Sequence, residues 1–175
     1  MADTVQKAVS REDRLLMWAD LYADALLRTC YLYLGDQHLA QDALQDTFLK
    51  AWRHMDLYEK KQVQNDKAWL CRIAMNVCRD QLRSPWRRRV DRRLTPEDLP
   101  PSMLSCPAQD RDLILDISRL PVKYRQPILL YHYHGMTVEE TAAVLHIPAA
   151  TAYKRLRKGR QLLKDRLTGS ENNER

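Results

Sequence analysis

The segment Met136–Arg160, MTVEETAAVLHIPAATAYKRLRKGR, constrains the fold most because it specifies two helices and the turn between them. Thr137 precedes Glu140 by three residues, a spacing typical of a capping box at a helix start. Pro148 ends this helix, since proline lacks the amide donor and disfavours helix at the preceding residue. The next helix is expected over about Ala149–Leu167. The segment therefore predicts a helix-turn-helix.

The second helix of this motif has an apolar side and a cationic side. The apolar side repeats every three or four residues, at Ala152, Leu156, Gly159 and Leu163. A cationic helix after a tight turn is typical of a recognition helix that reads duplex DNA. The alternative is an amphipathic helix with a solvated basic side; we favour DNA because the turn and the charge agree. The polar side carries Tyr153, Lys154, Arg157, Lys158 and Gln161.

The composition indicates a helical protein with an anionic partner. The 175 residues suit one domain or two small ones, and the net charge of +6 favours a polyanion. Only 4 glycines and 1 phenylalanine, beside many leucines, alanines and arginines, point to an all-α fold. No signal peptide and no run of membrane-spanning length is recognisable. We therefore expect a cytoplasmic protein without direct membrane insertion.

The cysteines and acidic residues do not predict a metal site or an active site. Cys30, Cys71, Cys78 and Cys106 form no C-x-x-C pair, and we expect buried thiols rather than disulfides. The sequence leaves a redox role of these cysteines open. Carboxylates are not clustered with metal spacing, and no Cys/His zinc pattern occurs. We expect no metal, no cofactor and no catalytic residues, so the chain is not expected to be an enzyme.

The first part of the chain contains a candidate docking face. Apolar residues at helical spacing, Leu21 among them, predict a helix from Arg11 or Glu12 to about Leu34, which Gly35-Asp36 ends. A second helix is expected over about Gln37–Met55. Its outer face places an exposed leucine within a polar rim, as protein-docking surfaces do, although a single surface leucine is ordinary. The residues of this docking face are Asp42, Gln45, Asp46, Leu49 and Arg53.

A third helix, Lys67–Arg83, follows a polar stretch, Asp56–Asn65, that we expect to be an irregular loop. Asp66 is expected to cap this helix. Cations, amides and an aromatic ring gather where loop and helix meet, which suits single-stranded DNA, whose bases stack and flip into pockets. An ordinary solvated stripe fits the composition equally well. The residues are Lys60, Lys61, Asn65, Trp69, Arg72, Asn76 and Arg79.

Residues 85–110 have the composition of a linker, with arginine clusters, prolines and little apolar periodicity. The predicted architecture is all-α, with two small helical domains joined by this flexible linker. The domains are residues 1–84 and 111–168, and residues 169–175 form a frayed tail. Pro127, within the second domain, is expected to kink a helix or to mark its first turn.

Four segments carry a resemblance to a known family. Leu34–Trp52 contains the pattern A-x-D-x-x-Q-x-x-F-x-x-x-W, and Ala68–Arg83 contains the pattern W-L-x-R-I-A-x-N. Leu120–Pro148 and Ala150–Arg160 follow in order and contain the helix-turn-helix. Together the segments resemble the extracytoplasmic-function (group 4) sigma factors of bacterial RNA polymerase. The resemblance implies that the first domain corresponds to sigma region 2 and the second to region 4.

The resemblance also implies partners and site residues. The docking face would bind core RNA polymerase at its clamp, and the residues around the third helix would read the minus-ten element as a melted single strand. The recognition helix would enter the major groove of duplex promoter DNA at the minus-thirty-five element. An anti-sigma protein, often membrane-anchored, would hold the factor inactive. The matching recognition-helix residues are Thr151, Tyr153, Lys154, Arg155, Arg157 and Lys158.

The recognition helix departs from the family pattern, so the resemblance carries no promoter consensus. Ala150 stands where the family usually has Gly, Tyr153 where it has Arg or Lys, and Lys154 where it has Ser. In the family, the guanidinium at this position would contact guanine; Tyr153 offers a phenol instead. The alternative function is a dimeric helix-turn-helix repressor or activator acting without polymerase, which leaves Leu34–Arg83 unexplained.

Overall fold

The computed structural model describes the backbone of residues 9–83 and 108–171, with side chains for 9–83 and 111–166. We call residues 9–83 the first half and residues 108–171 the second half. Most of the predicted linker, with Cys106, lies outside the described residues. Within them every regular element is helical. The elements are α1 Arg11–Leu34, α2 Gln37–Arg53, α3 Met55–Lys60, α4 Asp66–Arg83, α5 Ala108–Ser118, α6 Val122–Ile128, a π-helical turn Leu129–Tyr133, α7 Val138–Leu145 and α8 Ala149–Glu171.

Local capping sets the ends of the first two helices. The Ser10 hydroxyl accepts a hydrogen bond from the amide of Asp13 at 3.0 Å and so begins α1. Gly35 ends α1 in the left-handed conformation, with φ of 69°, where a residue without Cβ is unstrained. Asp36 then caps α2 by accepting from the amide of Leu39 at 3.0 Å. The predicted break at Gly35-Asp36 is confirmed.

The expected loop between the second and third helices is partly wrong, because it contains the short helix α3. Met55 and Tyr58 lie on one side of α3 and are buried in the core. Their burial stabilises a helical turn in a segment whose composition is polar. The expectation for Leu21 is also wrong: it is 62% exposed on α1 rather than part of the core face.

The start of α4 differs from the prediction in its capping residue. Asn65, not Asp66, caps the helix, since its Oδ1 accepts from the amide of Ala68 at 2.9 Å. The Asp66 carboxylate instead accepts from the indole Nε1 of Trp18 at 2.9 Å and from the Tyr58 hydroxyl. Asp66 therefore ties α4 to α1 and α3.

The thiols behave as small apolar groups. Cys30, Cys71 and Cys78 are free and buried, as predicted. Burial raises the pKa of Cys71 to about 12, so its reactive thiolate form is scarce at neutral pH.

Pro127 lies inside α6 rather than in its first turn. Because proline has no amide hydrogen, one helical hydrogen bond is missing there. The backbone widens into the π-helical turn directly after Ile128. This irregularity agrees with the predicted distortion, and it lies where the second half packs on the first.

The helix-turn-helix forms as predicted. The Thr137 hydroxyl accepts from the Glu140 amide at 3.1 Å, and the Glu140 carboxylate accepts from the Thr137 amide at 2.9 Å, which completes the capping box. His146 ends α7 in the left-handed conformation, with φ of 54°. Ala152 and Leu156 are buried and turn α8 toward α6. Helix α8 continues through Glu171, into the segment expected to be frayed.

The two halves pack against each other around one continuous apolar cluster. Leu129, Leu130, Met136 and Val144 of the second half belong to the same buried cluster as the core of α1 and α4. Because this contact joins residues far apart in the chain, periodicity within single helices did not predict it. The proposed division into domains at residues 84 and 111 stays a prediction.

Candidate docking and nucleic-acid interfaces

The predicted docking face lies on the outer side of α2. All its members are exposed, while Ala43, Thr47 and Ala51 face the core. Leu49, at its centre, is 52% exposed and is flanked along the helix by Gln45 and Arg53. The face comprises Asp42, Gln45, Asp46, Leu49 and Arg53.

A groove between α1 and α2 extends this face. Its volume is about 720 Å³. Leu16, 64% exposed on α1, lies in it but is absent from the predicted set. The available signal was that Leu16 is apolar yet out of phase with the core stripe of α1. The groove adds apolar area to a face whose predicted residues are all polar except Leu49. Its lining residues are Glu12, Leu15, Leu16, Gln45, Phe48, Leu49 and Trp52.

A second cavity, which we call the cleft, lies where α3, the following turn and the start of α4 meet. Its volume is about 590 Å³. Of the residues predicted to contact single-stranded DNA, it brings together Lys61, Asn65, Trp69 and Arg72. Lys60 is exposed at the end of α3, outside the lining, and Asn76 and Arg79 continue along α4. The cleft is lined by His54, Leu57, Lys61, Val63, Gln64, Asn65, Ala68, Trp69, Arg72 and Ile73.

Sequence analysis missed His54 and Leu57 as cleft residues, whereas Gln64 lies in the Lys60–Asn65 loop that the resemblance assigns to the minus-ten contact. His54 and Leu57 line the cleft because α3 is helical, which the polar composition did not indicate. Gln64 reaches it through a tight turn in which Gln62 has a φ of 46° and its carbonyl accepts from Gln64 Nε2 at 2.9 Å. These contributions follow from tertiary packing and turn geometry rather than from a sequence pattern.

Trp69 forms one wall of the cleft as part of an aromatic cluster. Its ring centroid lies 5.3 Å from that of Trp18 and 5.0 Å from that of Tyr58. Burial and the hydrogen bond to Asp66 raise the pKa of Tyr58, so the phenol stays protonated and donates to that carboxylate. The cluster fixes the ring of Trp69, which remains half-buried at the cavity edge. A rigid ring there can stack on a base.

Two polar side chains of the cleft contact α7 of the second half. The Asn65 amide donates to Glu140 Oε1 at 2.7 Å. Arg72 Nη2 donates to the carbonyl of Ala143 at 3.1 Å. Further along α4, Arg79 Nη2 donates to Asn76 Oδ1 at 2.8 Å. The second half therefore occupies hydrogen-bonding groups that we expected to face DNA.

The outer side of the recognition helix α8 points away from this contact. Tyr153 is 58% exposed, and Lys154, Arg157 and Lys158 are also exposed. Thr151 and Arg155 are half-buried at the edges of the same side. The predicted duplex-reading residues thus share one accessible, cationic surface. They are Thr151, Tyr153, Lys154, Arg155, Arg157 and Lys158.

The described residues contain neither a candidate metal site nor a candidate membrane-spanning helix. In residues 9–83 and 108–171, no group of three or more His, Cys, Asp and Glu side chains is placed to hold a metal ion. Over the same ranges every helix is too short or too polar to cross a bilayer.

Known proteins with this arrangement are bacterial transcription factors. Residues 18–88 match the family model of sigma-70 region 2, and residues 112–163 match that of sigma-70 region 4. The chain is 32% identical over 142 residues to ECF RNA polymerase sigma factor SigL of Mycobacterium tuberculosis, covering 78% of this chain and 79% of SigL. It is 30% identical over 166 residues to SigE of Mycolicibacterium smegmatis, covering 86% of this chain and 61% of SigE.

A solved structure shares the fold across both halves. It is the sigma factor RpoE in complex with the anti-sigma factor NepR from Bartonella quintana, with a TM-score of 0.70 and 26% identity. The match covers 89% of this chain and 97% of RpoE. The two sigma-70 regions define an RNA polymerase sigma factor. The chain belongs to the ECF family of RNA polymerase sigma factors, which direct the polymerase to promoters.

Proposed function

We propose that this protein binds core RNA polymerase and recognises a promoter through two separate DNA contacts, and that it aids strand opening between them. The observation that carries the proposal is the joint presence of a docking face, a partly polar cleft and an exposed cationic recognition helix on one chain. A dimeric repressor needs only the last of these. The role requires no catalytic group of the chain itself and places the protein in the cytoplasm, with the polymerase.

Each surface receives one role in the proposal. Residues 1–84 supply the docking face for the polymerase clamp and the cleft for the melted minus-ten strand. Residues 111–168 present α8 to the major groove of the minus-thirty-five element. Because residues 85–110 link the two DNA-binding surfaces, binding of one raises the effective concentration of the other at its element. The overall affinity for the promoter then exceeds that of either contact alone, provided that this linker lets both bind at once. The fold of B. quintana RpoE, found with NepR, supports an anti-sigma protein as a further partner.

Run-off transcription with core polymerase and genomic fragments tests the proposal. We expect discrete transcripts that require both the protein and core polymerase. A protein that binds the same fragments as a dimer, protects palindromic sites and yields no transcript would instead be a repressor. The assay also identifies a promoter for the experiments below.

The recognition helix gives a prediction about base readout. Lys154→Ala and Arg157→Ala are each expected to weaken binding to a mapped minus-thirty-five duplex by about 1–3 kcal/mol if the side chain contacts a base edge. If it contacts phosphate, binding to all sequences weakens alike and the salt slope falls by about one. Isotherms on mapped and scrambled duplexes at several salt concentrations measure this.

Lys123→Ala is the charge-matched control, because Lys123 is exposed on α6 and outside α8. Lys123→Ala should weaken binding to the mapped and the scrambled duplex equally, and only by the small amount that the loss of one positive charge causes. Equal affinities of wild type, Lys154→Ala and Arg157→Ala for both duplexes would contradict the assignment of α8 to DNA.

Asn76 gives a prediction about melting. Its side chain is half-buried on α4 and is bonded to Arg79 on the helix surface, so Asn76→Ala should change folding stability by only about 0.5 kcal/mol. It should nevertheless reduce open-complex formation, because unstacked bases need specific contacts that offset a few kcal/mol. Permanganate footprinting of the holoenzyme on a supercoiled promoter measures the bubble, and filter binding measures the closed complex.

Gln37→Ala, at an exposed amide at the start of α2, serves as the control for this experiment. Loss of the closed complex in parallel with the bubble would show that Asn76 acts before melting. An unchanged bubble would remove Asn76 from the residues proposed to contact the melted strand.

A further inference from the structure

The exposed side of α8 begins with an apolar surface. Ala149 and Ala150 are exposed in the first turn, and Tyr153, one turn later, is 58% exposed. Residues three and four apart lie on the same face of a helix, and a long helical side chain leans back toward the N-terminus. The phenol ring therefore leans over the turn that carries the two alanine methyl groups. We call Ala149, Ala150 and Tyr153 the apolar patch.

The apolar patch lies at the end of α8 that reaches base edges in a helix-turn-helix. In this motif the N-terminal residues of the recognition helix contact the bases in the major groove. Lys154 and Arg157 are exposed beside and beyond the patch, and Leu156 is buried on the opposite side of the helix. Tyr153 is thus an uncharged ring at the base-facing end of a cationic helix.

Major-groove chemistry determines which base such a surface can distinguish. Arg and Lys donate to guanine, Asn and Gln pair with adenine, and Asp and Glu accept from cytosine. The sequence from Ala149 to Arg160 contains no Asn, Gln, Asp or Glu. Apart from its cations and Thr151, this part of α8 presents apolar groups on its exposed side. Among the four standard bases only thymine presents an apolar group in this groove, its C5-methyl.

The alternative contact for a tyrosine is a phosphate, to which its hydroxyl can donate without reading sequence. The surroundings of Tyr153 favour the base edge. Cations that neutralise phosphates are already exposed at Lys154 and Arg157. The side chains of Ala149 and Ala150 have no donor for a phosphate, whereas their methyl groups lose contact with water when they pack on another apolar group.

We propose that Tyr153, together with Ala149 and Ala150, reads the methyl group of a thymine in the minus-thirty-five element and so determines specificity at one base pair. The inference rests on the proposed function, because it requires α8 to enter the major groove. The ring makes the contact, so the phenol hydroxyl is not required. Cytosine methylated at C5 carries the same methyl group, and the apolar patch accepts it in place of thymine.

The test removes the methyl group from the DNA and the ring from the protein. Each thymine of a minus-thirty-five duplex, taken from a promoter mapped by run-off transcription, is replaced singly by deoxyuridine, which lacks only the methyl group. Full-length wild type, Tyr153→Phe and Tyr153→Ala are titrated with each duplex. Tyr133→Ala is the matched control, because Tyr133 is 42% exposed and lies outside α8. Circular dichroism checks that every variant keeps its helix content.

The expected result is one thymine at which deoxyuridine weakens binding of wild type and Tyr153→Phe by about fourfold, as leaving one methyl-sized group unburied would. Tyr153→Ala should bind the thymine and deoxyuridine duplexes with nearly equal affinity, and Tyr133→Ala should keep the wild-type ratio. With a cytosine–guanine pair at that position, methylation of the cytosine at C5 should strengthen binding by wild type about fourfold.

Three results would overturn the proposal. The first is a duplex in which deoxyuridine at no position weakens binding by wild type. The second is a thymine-to-deoxyuridine ratio that Tyr153→Ala retains in full, with equal weakening on mapped and scrambled duplexes, which would assign the tyrosine to phosphate. The third is loss of the ratio in Tyr153→Phe, which would assign the readout to the hydroxyl.

Run-off transcription separates these failures from failure of the proposed function. If wild type directs transcription by core polymerase while one of the three results is obtained, the sigma-factor role stands and only the reading of a methyl group by Tyr153 is wrong. If wild type directs no transcription, the proposed function fails, and the inference fails with it.

Discussion

Replacing Asp46 and Leu49 together with lysine is expected to abolish binding to core RNA polymerase while the chain remains folded. Both side chains are exposed on α2, so neither contributes to the core. Leu49 lies in the groove shared with α1, where a partner side chain would bury it. Truncating a central interface anchor costs at least about 2 kcal/mol, and placing a cation in a desolvated apolar site adds to that loss. Pull-down with core polymerase measures the effect.

A control with the same chemical changes is available on α1. Asp20 and Leu21 are exposed, and neither lines the groove. The Asp20→Lys/Leu21→Lys variant should therefore bind core polymerase like wild type and show the same unfolding midpoint as Asp46→Lys/Leu49→Lys. Equal retention of both variants by polymerase would remove the α2 face from the proposed function. Equal loss would show that added positive charge, rather than position, weakens binding.

The docking face was predictable because exposure on a helix follows from its period. Core residues such as Ala43 and Thr47 fix the inward side of α2, and Asp46 and Leu49 then face outward. The groove was not predictable, since Leu16 contributes from another helix. The position of the groove depends on how α1 and α2 pack together, and the spacing of apolar residues within one helix does not determine that packing.

The same distinction between local and distant determinants holds for the cleft. Asn65, Trp69 and Arg72 could be assigned from their residue types and from the spacing of one helix. His54 and Leu57 could not, because their position depends on a short helix that forms when Met55 and Tyr58 are buried against other elements. Propensity over a few residues is weak, and tertiary packing decides such cases.

The helix-turn-helix was the most predictable element, since its determinants are neighbours in the chain. Thr137 and Glu140 form the capping box within one turn of α7. The contact between the halves has the opposite character. Arg125 reaches the carbonyls of Leu32 and Tyr33, more than ninety positions away, and nothing in the local pattern distinguishes it from a solvated arginine.

His134 gives the last prediction, because the contact between the halves buries a neutral imidazole. The residue is 5% exposed. The Thr29 hydroxyl donates its hydrogen to the carbonyl of Ala25 at 2.8 Å, so it accepts from His134 Nε2. Nε2 therefore carries the proton. The other ring nitrogen, Nδ1, is buried without a hydrogen-bond partner among the described residues.

Protonating His134 would place a charge on that unpartnered nitrogen. Burial, and then the positive charge of Lys67, lower the pKa of His134 from 6.5 to about 4. The unfolded chain binds this proton near pH 6.5, whereas the folded chain does not until about pH 4. Above about pH 7, His134 is neutral in both states and does not make the free energy of unfolding depend on pH. As the pH decreases from 6.5 toward 4, the free energy of unfolding falls because only the unfolded chain binds the proton.

Between pH 8 and pH 5 this linkage amounts to a loss of about 2 kcal/mol in the free energy of unfolding. Urea unfolding of wild type and His134→Gln at several pH values measures it, since the glutamine amide can still donate to Thr29 but does not titrate. We expect the wild-type curve to fall more steeply, with the difference confined to pH values below about 7. His38→Gln, at an exposed position on α2, is the matched control and should follow wild type. Parallel curves for wild type and His134→Gln would contradict a buried, neutral His134 and, with it, the close contact between the halves at this residue.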